Sequence, residues 1–126
     1  MNLKHAVAAI VCSLFLLPAY AGDYLSGEEI KSTFTGKTAI GQHLKKDEVV
    51  KSYFAGDGSY KRVLAGGSVK GTWWVDDGML CVRVKGKTKD RCQRVRSDGA
   101  GGYEKVKMEK DIPIVHFKSL EDGDET

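Results

Sequence analysis

The sequence predicts a mainly β protein, an antiparallel meander of about eight short strands forming a small barrel or sandwich, with one short N-terminal helix. Two observations support this prediction. Only one segment shows helical spacing of apolar residues, and the remainder consists of short runs interrupted by glycine. The interruptions include four dipeptides that favour hairpin turns: Asp57-Gly58, Gly66-Gly67, Asp77-Gly78 and Asp98-Gly99.

The first 21 residues have the pattern of a secretory signal peptide. Lys4 precedes an apolar run over residues 6–17, and small residues lead to a cleavage site after Ala21. Because the run is too short to span a membrane, we expect no transmembrane segment. The sequence therefore predicts a periplasmic or secreted protein that starts at Gly22.

The segment that follows the leader predicts a helix over residues 26–34. Ser26 and Glu29 have the spacing of a capping box, in which each side chain bonds the other's backbone N–H. Gly36 ends the segment. Its apolar residues recur at near-helical spacing: Leu25, Ile30 and Phe34.

Eight short runs between glycines are the predicted strands of a single domain over residues 22–118. An acidic, disordered tail is expected over residues 119–126. The predicted strands are 37–45, 48–55, 59–65, 68–76, 79–85, 90–96, 102–109 and 112–118.

The turns also predict which residues pair across the strands. Two-residue turns at Asp77-Gly78 and Gly66-Gly67, and a three-residue loop ending in a left-handed Gly58, fix three hairpins. The resulting pairs include Trp73–Val82, Tyr60–Trp73, Arg62–Gly71 and Phe54–Tyr60. Because side chains alternate between faces, one face gathers the core: Val50, Phe54, Tyr60, Leu64, Val69, Trp73, Val75, Leu80, Val82 and Val84.

Cys81 and Cys92 predict a structural disulfide, since an even cysteine count in an exported chain favours pairing. Direct pairing of the two residues places Arg83 opposite Asp90, which supports this register. The bridge closes a short loop, so we expect about 2–3 kcal/mol of stabilisation from it. A metal site is not predicted, because it needs more ligands and neither His43 nor His116 lies in a cluster with ligand spacing.

The sequence offers no nucleophile motif and no paired carboxylates, so we predict a protein that is not an enzyme and needs no cofactor. The net charge of the chain is only +3, and lysines and aspartates alternate along it. Nucleic acid is therefore not an expected partner, because its recognition needs a concentrated basic face.

Polar residues on the predicted inner face indicate a ligand-binding site. Two arginines and a glutamine near aromatic rings could line a barrel mouth that holds a small anionic or aromatic ligand. The alternative is that these strands lie at a rim, or that a bulge turns the arginines to solvent. The predicted site residues are Tyr60, Arg62, Trp73, Arg91 and Gln93.

Trp74 falls on the outer face beside the predicted disulfide. The amphipathic helix is expected to cover it through Ile30 and Phe34. Left uncovered, it would favour the alternative function, a periplasmic protein-interaction module such as an envelope stress factor or an inhibitor of an exported enzyme. The partner is thus a small molecule or an exported protein, and the sequence leaves the oligomeric state open.

Several motifs together resemble a family of small exported bacterial proteins. They are LSGEEI at 25–30, GKT at 36–38, YFAGDG at 53–58, GTWWV at 71–75 and LCV at 80–82, with Cys92 following. The pattern covers most of the chain after the leader and is similar to the domain of unknown function 995 group. The resemblance implies a small periplasmic β-domain and no established activity, and it implies no role for any single residue.

Overall fold

A computed structural model describes residues 24–107 and 109–126, so the predicted signal peptide and its cleavage site lie outside the described residues. The chain forms a closed antiparallel barrel of eight strands with one short helix, which confirms the predicted fold class and selects the barrel over the sandwich. Each strand pairs with the next along the chain, and the last pairs with the first. No helix of the described segments has the length and apolar character needed to cross a membrane.

The elements begin and end close to the predicted positions. The helix α1 spans Gly27–Phe34. The strands are β1 (Lys37–His43), β2 (Glu48–Phe54), β3 (Ser59–Leu64), β4 (Gly67–Asp76), β5 (Met79–Val84), β6 (Arg91–Ser97), β7 (Tyr103–Val106) and β8 (Pro113–Asp122).

Helix α1 closes one end of the barrel. The Ser26 hydroxyl accepts a hydrogen bond from the Glu29 backbone N–H and the Glu29 carboxylate accepts one from the Ser26 N–H, so the predicted capping box is present. Ile30 and Phe34 are fully buried, and the Phe34 ring packs edge-on against Phe54 at 5.4 Å between ring centroids. Because these two helix residues point into the barrel, the expectation that they cover Trp74 is wrong.

The predicted pairing is correct for two hairpins and wrong for one. β4 and β5 pair as expected, and Phe54 lies opposite Tyr60. Between β3 and β4, however, the two-residue turn is Ala65-Gly66, one position earlier than predicted. This change shifts the pairing by two residues, so Tyr60 lies opposite Gly71 instead of Trp73. A shift of two keeps every side chain on its predicted face, which is why most of the predicted core is still correct.

The cysteines form the predicted bridge. Cys81 pairs directly with Cys92 across β5 and β6, and their sulfur atoms are bonded. Beside them, the Arg83 Nε donates a hydrogen bond of 2.6 Å to the Asp90 carboxylate, as the predicted register requires.

The prediction of a disordered tail from residue 119 is wrong. β8 continues to Asp122, whose carboxylate forms an ion pair with Lys37 on β1. The Thr38 hydroxyl then donates to the Gly123 carbonyl and accepts from the Glu125 N–H. The physical reason is closure: β1 has an unpaired edge, and the acidic segment supplies the strand that pairs with it.

The seam between β1 and β8 depends on a glycine. The pairing shifts register between Ile40 and Gly41, and a Cβ atom built at Gly41 would lie 1.8 Å from the His116 carbonyl oxygen. The two backbones therefore approach more closely than any side chain at this position permits.

We predict that Gly41→Ala lowers the free energy of unfolding by about 1–3 kcal/mol, because the added methyl group forces the two strands apart. Urea denaturation measures the change. Gly66→Ala is the matched control, because its Cβ would meet no atom within 4 Å, and it is expected to stay within about 0.5 kcal/mol of the parent. Equal stabilities for the two variants would contradict the proposed seam.

Candidate ligand-binding site

The barrel end opposite α1 is open and contains a polar cavity. Residues of seven strands, all except β4, enclose about 60 Å³ there, between the apolar half of the barrel and solvent. The polar residues that line the cavity are His43, Ser52, Tyr60, Arg62, Arg91, Gln93 and Lys105.

The cavity leads into a wider vestibule of about 740 Å³ between the β1–β2 turn and the β7–β8 loop. Its walls combine lysines with aliphatic side chains. The lysines are Lys45, Lys46, Lys107 and Lys110, and the aliphatic residues are Leu44, Ile112 and Ile114.

Strand alternation places the arginines and the glutamine in the interior. Arg91 lies opposite Val82, and Gln93 lies opposite Leu80, whose side chain is fully buried in the core. Residues directly opposite each other share a face of the sheet, so Arg91 and Gln93 must also point inward. The β6 side chains thus change from cationic at the mouth to apolar at Val95, which is fully buried nearer the helix.

Three cations in this cavity have no anionic partner. Among the described residues, no carboxylate lies within ion-pairing distance of Arg62, Arg91 or Lys105. By contrast, Arg83 and Arg96 on the outer face each contact a carboxylate. Lys105 is desolvated, Arg62 is half-buried and Arg91 is exposed at the mouth, so the positive charge gathered there favours an anion.

The field of these cations lowers the pKa of neighbouring bases. Burial, and after it the charges of Arg62 and Arg91, lower the pKa of Lys105 to about 8. The amino group keeps slight access to solvent through the cavity, so it stays within reach of a ligand. The pKa of His43 is also lowered, by burial first and then by Lys46 and Arg62.

Tyr60 and Ser52 form the floor of the cavity. Their hydroxyl groups lie 3.3 Å apart in a buried hydrogen bond, and burial raises the pKa of Tyr60. Beneath the hydroxyl, the Tyr60 ring contacts Phe54 at 5.3 Å between centroids. The two hydroxyls are the boundary between the polar cavity and the apolar core.

The structure brings four of the five predicted site residues together and separates the fifth. Tyr60, Arg62, Arg91 and Gln93 all line the cavity. Trp73 does not, because its indole Nε1 donates to the Ala55 carbonyl at 2.8 Å and its ring packs on Phe54 near the helix end. The cause is the two-residue shift between β3 and β4, which moves Trp73 away from the mouth.

Sequence reasoning missed His43, Ser52 and Lys105 in this site. Lys105 was missed because Asp98-Gly99 indicates a turn but does not determine how β7 pairs with β6. Ser97 pairs with Tyr103, which leaves a five-residue loop between them. Alternation from Tyr103, a core-facing residue, would have placed Lys105 inside.

Two further features of the chain, Trp74 and the possible metal ligands, give weaker indications of a functional site. Trp74 lies on the outer face opposite Cys81 and is half-buried. Within residues 24–107 and 109–126, no three His, Cys, Asp or Glu side chains are grouped as metal ligands.

Comparison of this chain with protein families, with curated proteins and with solved structures finds no match. The resemblance to the domain of unknown function 995 group therefore stays a prediction, and the functional inference depends on the residues of the cavity.

We predict that Lys105→Met raises the free energy of unfolding at pH 7 by about 1–3 kcal/mol, because it removes a desolvated charge near two guanidinium groups. The pKa of Lys105 is lower in the folded protein than in the unfolded chain. At a pH between these two pKa values, the unfolded chain therefore binds more protons than the folded protein. The parent protein then gains stability with rising pH, and the advantage of the variant shrinks.

Urea denaturation at neutral and alkaline pH measures this convergence. Lys118→Met removes an exposed lysine from β8 and is the matched control, expected to change stability little at any pH. If the stability difference between Lys105→Met and the parent does not change with pH, Lys105 does not have the lowered pKa described above.

Proposed function

We propose that this chain is an exported, non-enzymatic binding protein that holds a small anion in the open mouth of its barrel. The observation that carries the proposal is the cluster of Arg62, Arg91 and Lys105, three cations in one cavity without a carboxylate partner in the described chain.

Export to an oxidising compartment is part of the proposal. The Cys81–Cys92 disulfide supports it, because such bridges persist outside the reducing cytosol. The predicted leader supports it independently and points to the periplasm or the medium as the final location.

The dimensions of the site favour a ligand with a compact anionic head. A cavity of 60 Å³ has about the volume of two water molecules, which suits a carboxylate or a phosphate group. Arg62 and Arg91 can each offer two parallel N–H donors to such a head, and Gln93 can add an amide donor. The remainder of the ligand would occupy the vestibule, where Leu44 and Ile112 offer apolar contact. An aromatic ligand has less support, because Trp73 is outside the site.

Binding is favoured over catalysis by the chemistry of the lining groups. The cavity presents positive charge, hydroxyl groups and an amide, which bind and orient an anion. His43 is the one imidazole of the cavity, and its Nδ1 accepts a hydrogen bond of 3.2 Å from the Lys46 backbone N–H. No carboxylate lines the cavity to orient it as a general base. We therefore propose no cofactor and no reaction.

A protein-interaction module is the second candidate. It is favoured by the partial exposure of Trp74 beside the disulfide, on an outer face that Ile30 and Phe34 do not cover. A single half-buried ring is weaker support than three unpaired cations, so we place this function second.

We predict that the protein binds inorganic phosphate or phenyl phosphate, and that Arg62→Gln weakens this binding about 10- to 100-fold, as expected for the loss of a charge-assisted hydrogen-bond donor. Isothermal titration calorimetry measures the affinities. Arg94→Gln is the matched control, because Arg94 lies on the outer face over the Tyr24 ring. Unchanged binding in Arg62→Gln, or equal loss in both variants, would refute the proposed site.

A further inference from the structure

The fold sorts the charges of the chain to opposite ends of the barrel. In an up-and-down barrel, alternate connections lie at opposite ends, so β1–β2, β3–β4, β5–β6 and β7–β8 meet at the open end. These connections are residues 44–47, 65–66, 85–90 and 107–112. They contain seven lysines and four acidic residues: Lys45, Lys46, Lys85, Lys87, Lys89, Lys107 and Lys110, with Asp47, Asp90, Glu109 and Asp111.

The helix end has the opposite composition. The segments 24–36, 55–58, 77–78, 98–102 and 123–126 contain seven acidic residues and one lysine. Lysines and aspartates that alternate along the sequence are therefore separated in space. The concentrated basic face that the sequence did not predict exists at the open end.

Side-chain contacts increase the positive character of this end. Two of its four acids are paired with arginines of the strands, Asp90 with Arg83 and Asp111 with Arg96. In the described structure, none of its seven lysines is part of an ion pair. The lysine charges therefore remain available to a partner.

Two exposed aliphatic side chains lie at the same end. Leu44 in the β1–β2 turn is 43% exposed and Ile112 in the β7–β8 loop is 51% exposed. They line the vestibule with Lys45, Lys46 and Lys110, and their two segments are neighbours, since the Leu44 backbone N–H donates to the Ile114 carbonyl. Aliphatic residues surrounded by lysines are the combination that binds the interface of an anionic bilayer, where the charges meet headgroups and the apolar groups enter beneath them.

We propose that the open end of the barrel docks onto an anionic lipid bilayer, with its lysines at the headgroups and Leu44 and Ile112 in the interface. This surface is defined by residues 44–46, 85–89, 107 and 109–112, and we name it the basic end. The inference goes beyond anion binding in the cavity, because the basic end carries it without Arg62, Arg91 or Lys105.

Two other partners fit the basic end less well. Single-stranded nucleic acid would use aromatic rings to stack its bases, and the connections at this end contain no aromatic residue. A second copy could offer its acidic helix end, but head-to-tail contact of that kind would leave no role for the exposed Leu44 and Ile112. Binding of either partner at the basic end would therefore contradict the proposal.

Vesicle co-sedimentation tests the proposal, using the chain from Gly22 because an apolar leader would itself bind lipid. It contains the helix and all eight strands. We expect binding to phosphatidylcholine vesicles that contain phosphatidylglycerol, none to pure phosphatidylcholine, and weaker binding as the salt concentration rises. Lys45→Gln/Lys46→Gln is expected to weaken partitioning about 30-fold, at roughly fivefold for each lysine.

The matched control removes two exposed lysines elsewhere. Lys31→Gln/Lys118→Gln deletes the same charge from α1 and β8 and is expected to bind the vesicles nearly as the parent does. Leu44→Ser/Ile112→Ser is expected to keep the part of vesicle binding that weakens with salt, because the lysines remain. It is expected to lose the part of vesicle binding that persists at high salt, because the apolar side chains are gone. Circular dichroism of each variant confirms that the barrel is folded.

Four outcomes would overturn the proposal. Two concern the vesicles: the protein binds neutral and anionic vesicles equally, or the two double-lysine variants lose vesicle binding to the same extent. The other two concern different partners: the protein prefers single-stranded nucleic acid to vesicles, or light scattering shows concentration-dependent self-association that Lys45→Gln/Lys46→Gln abolishes. Arg62→Gln separates this proposal from anion binding in the cavity, because it should weaken phosphate binding about 10- to 100-fold and leave vesicle binding unchanged. Inorganic phosphate at matched ionic strength should likewise leave vesicle binding unchanged.

Discussion

Alternation of side chains in a closed barrel is the constraint on which the rest of this structure depends. Successive residues of each strand point inward and outward in turn, except where the pairing shifts register at Ile40/Gly41 and at Lys105/Val106, and hydrogen bonding around the ring leaves no free edge. Helix α1 closes one end with Phe34, so inward-facing polar groups can reach water only at the other end. The apolar core near the helix and the cationic cavity at the mouth are two consequences of this single asymmetry.

The cationic cavity is costly for a barrel of this size. An aliphatic residue at position 105 would avoid the desolvation of the Lys105 charge beside Arg62, which is half-buried, and Arg91, which is exposed at the mouth. Arginines on the outer face show that carboxylate partners were available to the chain, since Arg83 pairs with Asp90 and Arg96 with Glu104. Cations gathered at the mouth without a carboxylate partner among the described residues support the proposed anionic ligand, which would enter through the open mouth between the lysines around it.

Much of the fold followed from the sequence because turn dipeptides fix pairing locally. Asp77-Gly78 and Gly58 were enough to pair β4 with β5 and β2 with β3. The same logic failed at Gly66-Gly67, where two adjacent glycines allow the turn at either position, and this misplaced Trp73. Lys105 was missed because a five-residue loop sets no register. The C-terminal strand and the separation of charges depend on the pairing of β8 with β1, which closes the barrel. Short sequence patterns do not predict a contact between residues so far apart in the chain.

The most direct test of the account is the titration of the Lys105 amino group by NMR, with and without phosphate. Lys105→Met identifies the resonance, and exposed lysines provide the internal reference. The account predicts a pKa of about 8 in the free protein, as burial and two guanidinium groups require, and a rise in that pKa when phosphate binds beside the ammonium group. An ordinary lysine pKa that phosphate leaves unchanged would contradict the central claim that the barrel mouth holds uncompensated positive charge.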